Sequence, residues 1–142
     1  MSLTPALVGA AMALAVGAYA RMVGFDRDRS FYPVVMTVIA SYYVLFAVMA
    51  DGAGLAHELV GAALFMAVAA IGFRVNLWLV VAALAAHGIF DEFHHGVIAN
   101  PGVPAWWPGW CLGYDVAAAA CLALVIVKGG LDPNGRSGHH GV

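Results

Sequence analysis

Residues 77–96 read LWLVVAALAAHGIFDEFHHG. The first half is an unbroken apolar run, and the second packs three histidines and two acids into the nine positions from His87 to His95. An apolar run of this kind belongs in lipid, so the charge that follows it has to be accommodated at a similar depth. The rest of the chain settles the class. Of its 142 residues 63% are hydrophobic and only 10% are charged, whereas a soluble domain carries about a quarter charged residues. Its apolar segments reach the roughly 20 residues that a helix needs to cross a hydrocarbon core. The sequence therefore predicts an all-α, polytopic membrane protein.

Five apolar spans can be drawn outward from this stretch, each closed by breakers or charge. The first runs from about Leu3 to Met22 and ends at GFDRDRS; the second begins near Phe31, with Pro33 in its first turn, and stops at Asp51-Gly52. A third covers about Gly54 to Phe73, and the fourth about Val75 to Phe93. After the proline-rich loop HGVIANPGVPAWWPG, a fifth span starts at Pro108 and reaches Val127. Residues 1–128 thus read as one transmembrane domain, and the polar, Gly-rich residues 129–142 as a flexible cytoplasmic tail.

Orientation follows from the basic residues. Arg21, Arg27, Arg29, Arg74, Lys128 and Arg136 fall only after spans one, three and five. The positive-inside rule then places the N-terminus outside and the C-terminus in the cytoplasm. Trp106, Trp107 and Trp110 mark the outer interface and Trp78 the inner one. Ala18-Tyr19-Ala20 resembles a signal-peptidase site, but no Lys or Arg precedes the apolar run, so the reading is an uncleaved first helix. A net charge of −2 without a basic run gives no sign of nucleic-acid binding. Cys111 and Cys121 form neither CxxC nor CxxCH, so redox-pair and covalent-haem readings drop out.

With topology fixed, the ionisable groups gather at one depth. Asp51, His57, Glu58, His87, Asp91, Glu92, His94, His95 and Asp115 all fall in the outer halves of spans two to five. At about 100° per residue, His87, Asp91 and His94 share an arc of roughly 60°, with His95 beside them and Glu92 pointing away. Cys111 and Asp115, spaced i and i+4, share a face of span five. An intramembrane charge costs about 2.5–3.5 kcal/mol on insertion scales, so such groups must pair, bind a metal or line a wet cavity. Imidazole with carboxylate suits zinc or iron. The candidate metal ligands are His57, His87, His94 and His95; in the hydrolytic version His87 and His94, with His57 as a third, hold the metal, and Asp91 or Asp115 takes the proton of a bound water. Blander readings stand beside these. His94 and His95 can be solvated interfacial residues, Asp51 a helix cap, and His57 and Glu58 interhelical hydrogen-bonding groups. His139 and His140 read as solvated, and Gly9, Ala13 and Gly17 as an ordinary small-residue packing ridge.

The run from His87 to about Ala120 resembles a family of small, functionally uncharacterised bacterial integral-membrane proteins. The features that carry it are H-x3-D-x2-H-H at His87, Asp91, His94 and His95, then Asn100-Pro101 and Pro104, then C-x3-D at Cys111 and Asp115. The resemblance implies a bacterial inner-membrane location and groups these residues as one unit, without naming a reaction. The D-x2-H-H piece is also similar to part of the histidine boxes of membrane di-iron oxidases, whose full histidine set is missing here. The leading expectation is a metal site serving hydrolysis or oxidation of a lipid-like substrate. The alternatives are a b-type haem or quinone carrier using His57 and one span-four histidine, and a small structural subunit of an oligomer or larger membrane complex. An ion transporter fits less well, because the inner halves of the spans offer few polar groups.

Overall fold

A computed structural model describes residues 3–135. They form five long helices: α1 (Leu3–Val23), α2 (Phe31–Met49), α3 (Leu55–Arg74), α4 (Trp78–Val97) and α5 (Trp107–Val127), with a short 3-10 turn at Phe25–Arg27. Each helix has 19–21 residues, or about 30 Å at 1.5 Å per residue, the thickness of a bilayer's hydrocarbon core. Four of them (α1, α2, α3 and α5) are long and apolar enough to cross a membrane. The fourth helix is equally long but less apolar, because its second half carries the histidines and acids.

Polarity is inverted relative to a soluble domain. Leu64 and Phe93 are each 63% exposed, while Asp91 and Asp115 are wholly buried. Apolar side chains outside and acids inside suit a hydrocarbon solvent and would be unstable in water.

Helices pack in the order α1, α5, α4, α3, α2, and α2 also reaches back to α4. Small residues set the closest approach. A Cβ on Gly9 would collide with the Trp110 carbonyl, and one on Gly113 with the Ala6 carbonyl. The Gly9, Ala13 and Gly17 ridge is therefore spent on α5 within the chain, where lipid-embedded helices gain dispersion contacts by backbone approach. The apolar core, with Met36, Leu77, Val80, Leu84 and Leu122 fully enclosed, lies between α2, α4 and α5.

At one end of the bundle, Arg29 donates to the Phe73 carbonyl at 2.7 Å and also to the Asp132 carbonyl. The Leu77 N–H donates to the Pro133 carbonyl at 2.9 Å, Asn76 to Asn134 at 3.0 Å, and Leu131 is buried. Residues 129–135 are thus docked, which corrects the flexible tail at its start: the backbone groups freed at the α3–α4 turn need partners, and the tail supplies them. Arg136, His139 and His140 lie outside the described residues. At this same end the Ser30 N–H donates to the exposed Asp28 carboxylate, holding its pKa below the ordinary value.

The opposite end joins the α2–α3 turn to the α4–α5 loop. Asp51 there is exposed and takes a left-handed φ of 54°, so it faces water in a turn. Gly54, at φ 75°, brings its backbone so close that a Cβ would lie 2.7 Å from the Ala99 carbonyl oxygen.

Candidate metal centre

The buried face of α4 comprises Val80, Ala83, Leu84, His87, Gly88, Asp91 and His94. This is the 3.6-residue stripe of a helix whose other face, with Ile89, Phe93 and Val97, is exposed. Spacing i, i+4 sets His87 Nδ1 3.4 Å from Asp91 Oδ2, and α5 brings Asp115 Oδ2 to 2.8 Å from the same nitrogen. Gly88 makes that meeting possible. A Cβ there would lie 3.0 Å from the Asp115 Cβ and 3.2 Å from the Leu112 Cα, so any larger residue forces α4 and α5 apart.

One donor atom from each of His87, Asp91 and Asp115 falls within 4.8 Å of the others, and all three residues are buried. Among the described residues, both Asp91 oxygens and Asp115 Oδ1 have no hydrogen-bond partner. Phe65 sets its ring edge-on to His87 at a centroid distance of 4.7 Å, closing the α3 side with apolar surface. By helix rise the three residues lie roughly 9–15 Å from the α4–α5 loop end, at or on the loop side of the mid-length of both helices.

His94 belongs to a second cluster. Its Nε2 lies 2.7 Å from Glu58 Oε1, which also accepts from Asn100 Nδ2 at 2.8 Å. The Asn100 amide reaches the Tyr43 carbonyl at 3.1 Å, and its Oδ1 accepts from the Gly102 N–H at 3.2 Å. The Tyr43 ring lies against His94, with centroids 4.1 Å apart. Here the blander reading of Glu58, an interhelical hydrogen-bonding group, describes what it does.

The other two histidines go elsewhere. His57 is exposed and lines an outward-facing apolar groove of about 450 Å³ with Leu64, Phe65 and Phe90. It adjoins Glu58 in sequence, so when Glu58 faces the core, His57 is turned about 100° away. It does not join His87 and Asp115, and this corrects the expected ligand set. His95 is exposed too, in a cleft with Glu92, Trp106 and Pro108. A pair of opposed axial histidines for haem is accordingly not assembled among the described residues: His57 faces out, and His94 is committed to Glu58.

Sequence reasoning missed two contributors. Gly88 was readable only as a helix residue beside a histidine; its role depends on where α5 packs. Tyr43 was hidden in an apolar run, and its one signal was a hydroxyl needing a partner inside a membrane span. Asn100 had entered only through the family resemblance.

Chemically, the centre offers one imidazole and two carboxylates without enough protein donors. With neutral His87 and both acids ionised, the group would carry −2, which a divalent cation brings to zero; a protonated His87 would leave −1. Buried charge that is not neutralised costs several kcal/mol per ion. Three protein ligands with one position left over is also the donor count of zinc sites that keep a reactive water. Comparison with known proteins found no matching family model, no similar curated protein and no similar solved structure.

Proposed function

We propose that this chain is a five-span protein of a bacterial inner membrane that holds one divalent transition-metal ion, zinc or iron, at His87, Asp91 and Asp115. In this reading the N-terminus and the α4–α5 loop face outward and the C-terminus faces the cytoplasm. The supporting observation is the set of buried, unpartnered carboxylate oxygens from two helices beside one imidazole. Bound there, the ion supplies Lewis-acid or redox chemistry. Asp91 and Asp115 serve as its donors, and the carboxylate oxygens not used for binding are the groups able to hold a proton. The Nδ1 proton that bridges His87 to Asp115 must leave on binding, so metal uptake releases acid. The surrounding hydrocarbon favours a lipid-like substrate, and hydrolysis or oxidation of such a substrate is the activity we assign. Membership of the small bacterial membrane-protein family is part of the same proposal.

The alternative is a polar network that ties α4 to α5 in a small structural subunit. It is favoured by the His87–Asp115 hydrogen bond, which is complete without an ion. Elemental analysis and a visible spectrum of the detergent-purified protein decide between them. Stoichiometric zinc or iron without a Soret band, lost in His87→Ala, is expected. Purified protein that takes up neither metal selects the structural subunit.

A further inference from the structure

We propose that the open cleft between the loop ends of α1, α4 and α5 binds the ammonium headgroup of a zwitterionic phospholipid, with Glu92 as its counter-charge and Trp106 as its aromatic wall. The site is separate from His87, Asp91 and Asp115 and does not depend on a metal there. Its shape follows from helix packing. Backbone approach clamps α1 to α5 at Gly9 and Gly113, where any Cβ would strike a carbonyl of the other helix. One turn nearer the loop the pair loosens: a Cβ on Gly109 would meet the Pro5 side chain at 3.7 Å, an ordinary contact. The end of α4 faces this gap, and the result is a cleft of about 390 Å³ lined by Pro5, Glu92, His95, Trp106, Pro108 and Gly109. That volume lies in the usual range of small-molecule sites.

Charge decides the occupant. Glu92 takes no part in the ion pairs among the described residues. Their arginines and lysine, Arg21, Arg27, Arg29, Arg74 and Lys128, all stand at the other end of the bundle. The carboxylate in the cleft therefore calls for a cation from outside the chain. Trp106 suits the same guest. It is 52% exposed and meets Trp107 at an angle of 61°, whereas Trp107, Trp110 and Tyr114 stack on one another. An open indole beside a carboxylate is the pairing that recognises ammonium groups. His95, three residues after Glu92, lies on the same side of α4 and presents at least one ring N–H in either charge state, a donor for the phosphate that accompanies the ammonium.

Depth points to a lipid as the source of that ammonium. By helix rise Glu92 lies about 8 Å from the loop end of α4, near the boundary between hydrocarbon and headgroups for a helix of spanning length. Tryptophans gather at that level in membrane proteins. Below the cleft, Val8 and Met12 of α1 are exposed and apolar, so the same lipid's acyl chains meet a hydrocarbon-compatible surface.

The test titrates the full chain in detergent with phosphatidylcholine, with phosphatidylglycerol of the same acyl chains, and with free choline. Native mass spectrometry counts lipids per chain, and melting in lipid-free detergent controls for folding. Wild type is expected to hold phosphatidylcholine at least about tenfold more tightly than phosphatidylglycerol, which corresponds to about 1.4 kcal/mol. Glu92→Gln should abolish that preference. Trp106→Leu should weaken phosphatidylcholine about two- to fivefold, the worth of a cation–π contact at an open site, and leave phosphatidylglycerol unchanged. It gives a second reading that stands whether or not Glu92→Gln folds. Equal affinity for the two lipids in wild type overturns the proposal, as does a preference that survives intact in either variant that melts like wild type. Free choline bound as tightly as phosphatidylcholine also overturns it, by making the ligand a soluble ammonium compound.

Discussion

Replacing Asp115 by Asn separates ion from scaffold, because the amide keeps the shape and changes only the charge. In the metal-free protein the side-chain amide oxygen of the Asp115→Asn variant can still accept from the His87 Nδ1–H, which lies 2.8 Å from Asp115 Oδ2 in the wild type. Two buried carboxylates beside one imidazole also become one, which relieves uncompensated charge. Melting of the metal-free variant is therefore expected at or above the metal-free wild-type temperature. The ion sees the reverse. A unit charge pair 4 Å apart is worth about 4 kcal/mol at an effective dielectric constant near 20. A dication doubles that, and desolvation removes much of it. A net loss of at least about 3 kcal/mol, or a Kd raised by at least about 100-fold, is the expected outcome. Competition against a chelator of known affinity measures the Kd, and calorimetry of stripped protein measures the melting. Asp115→Asn that binds zinc as tightly as wild type, while melting well below it without metal, would refute the reasoning and leave a structural network.

Three further outcomes follow from named contacts. Gly88→Ala introduces a Cβ 3.0 Å from the Asp115 Cβ; it should cost about 1–3 kcal/mol of stability by overpacking and weaken metal binding, read by melting and elemental analysis together. His57→Gln, His95→Gln and Glu92→Gln should leave metal content at the wild-type level, since His57 and His95 are exposed and none of the three joins the donor group; loss of metal in any of them would reopen the ligand set. A green fluorescent protein fused after Val142 should fluoresce in the cytoplasm, and an alkaline phosphatase fused there should be silent; the opposite pair of signals reverses the proposed orientation.

The helices were legible because apolar runs, breakers and charges mark their ends without reference to neighbours. His87, Asp91 and Asp115 were legible for a related reason: depth and i, i+4 spacing are properties of one helix at a time. The rest depended on rotational phase between helices, which no single segment encodes. On α3 the adjacent residues His57 and Glu58 both look functional, and only packing decides that Glu58 turns inward. His94 lies within the ligand arc of α4, yet Glu58 on α3 and Asn100 beyond the helix claim it. The docking of residues 129–135 was invisible too, because most of its hydrogen bonds are accepted by backbone carbonyls that any sequence would carry.

The modest hydrophobicity of α4 bears on how the chain enters the bilayer. An acid near the centre of a helix costs about 2.5–3.5 kcal/mol on insertion scales, and α4 adds histidines to Asp91 and Glu92. Alone it is a poor candidate for release into lipid. Its neighbour α5 carries Asp115, which meets His87, and a Gly88-sized notch lets the two helices close. A hairpin of α4 with α5 would carry these polar atoms into the bilayer already facing each other, which α4 on its own would not. The segment that follows α5 clasps the start of α4 through Pro133 and Leu77, so a chain cut short before residue 129 would lose that clasp.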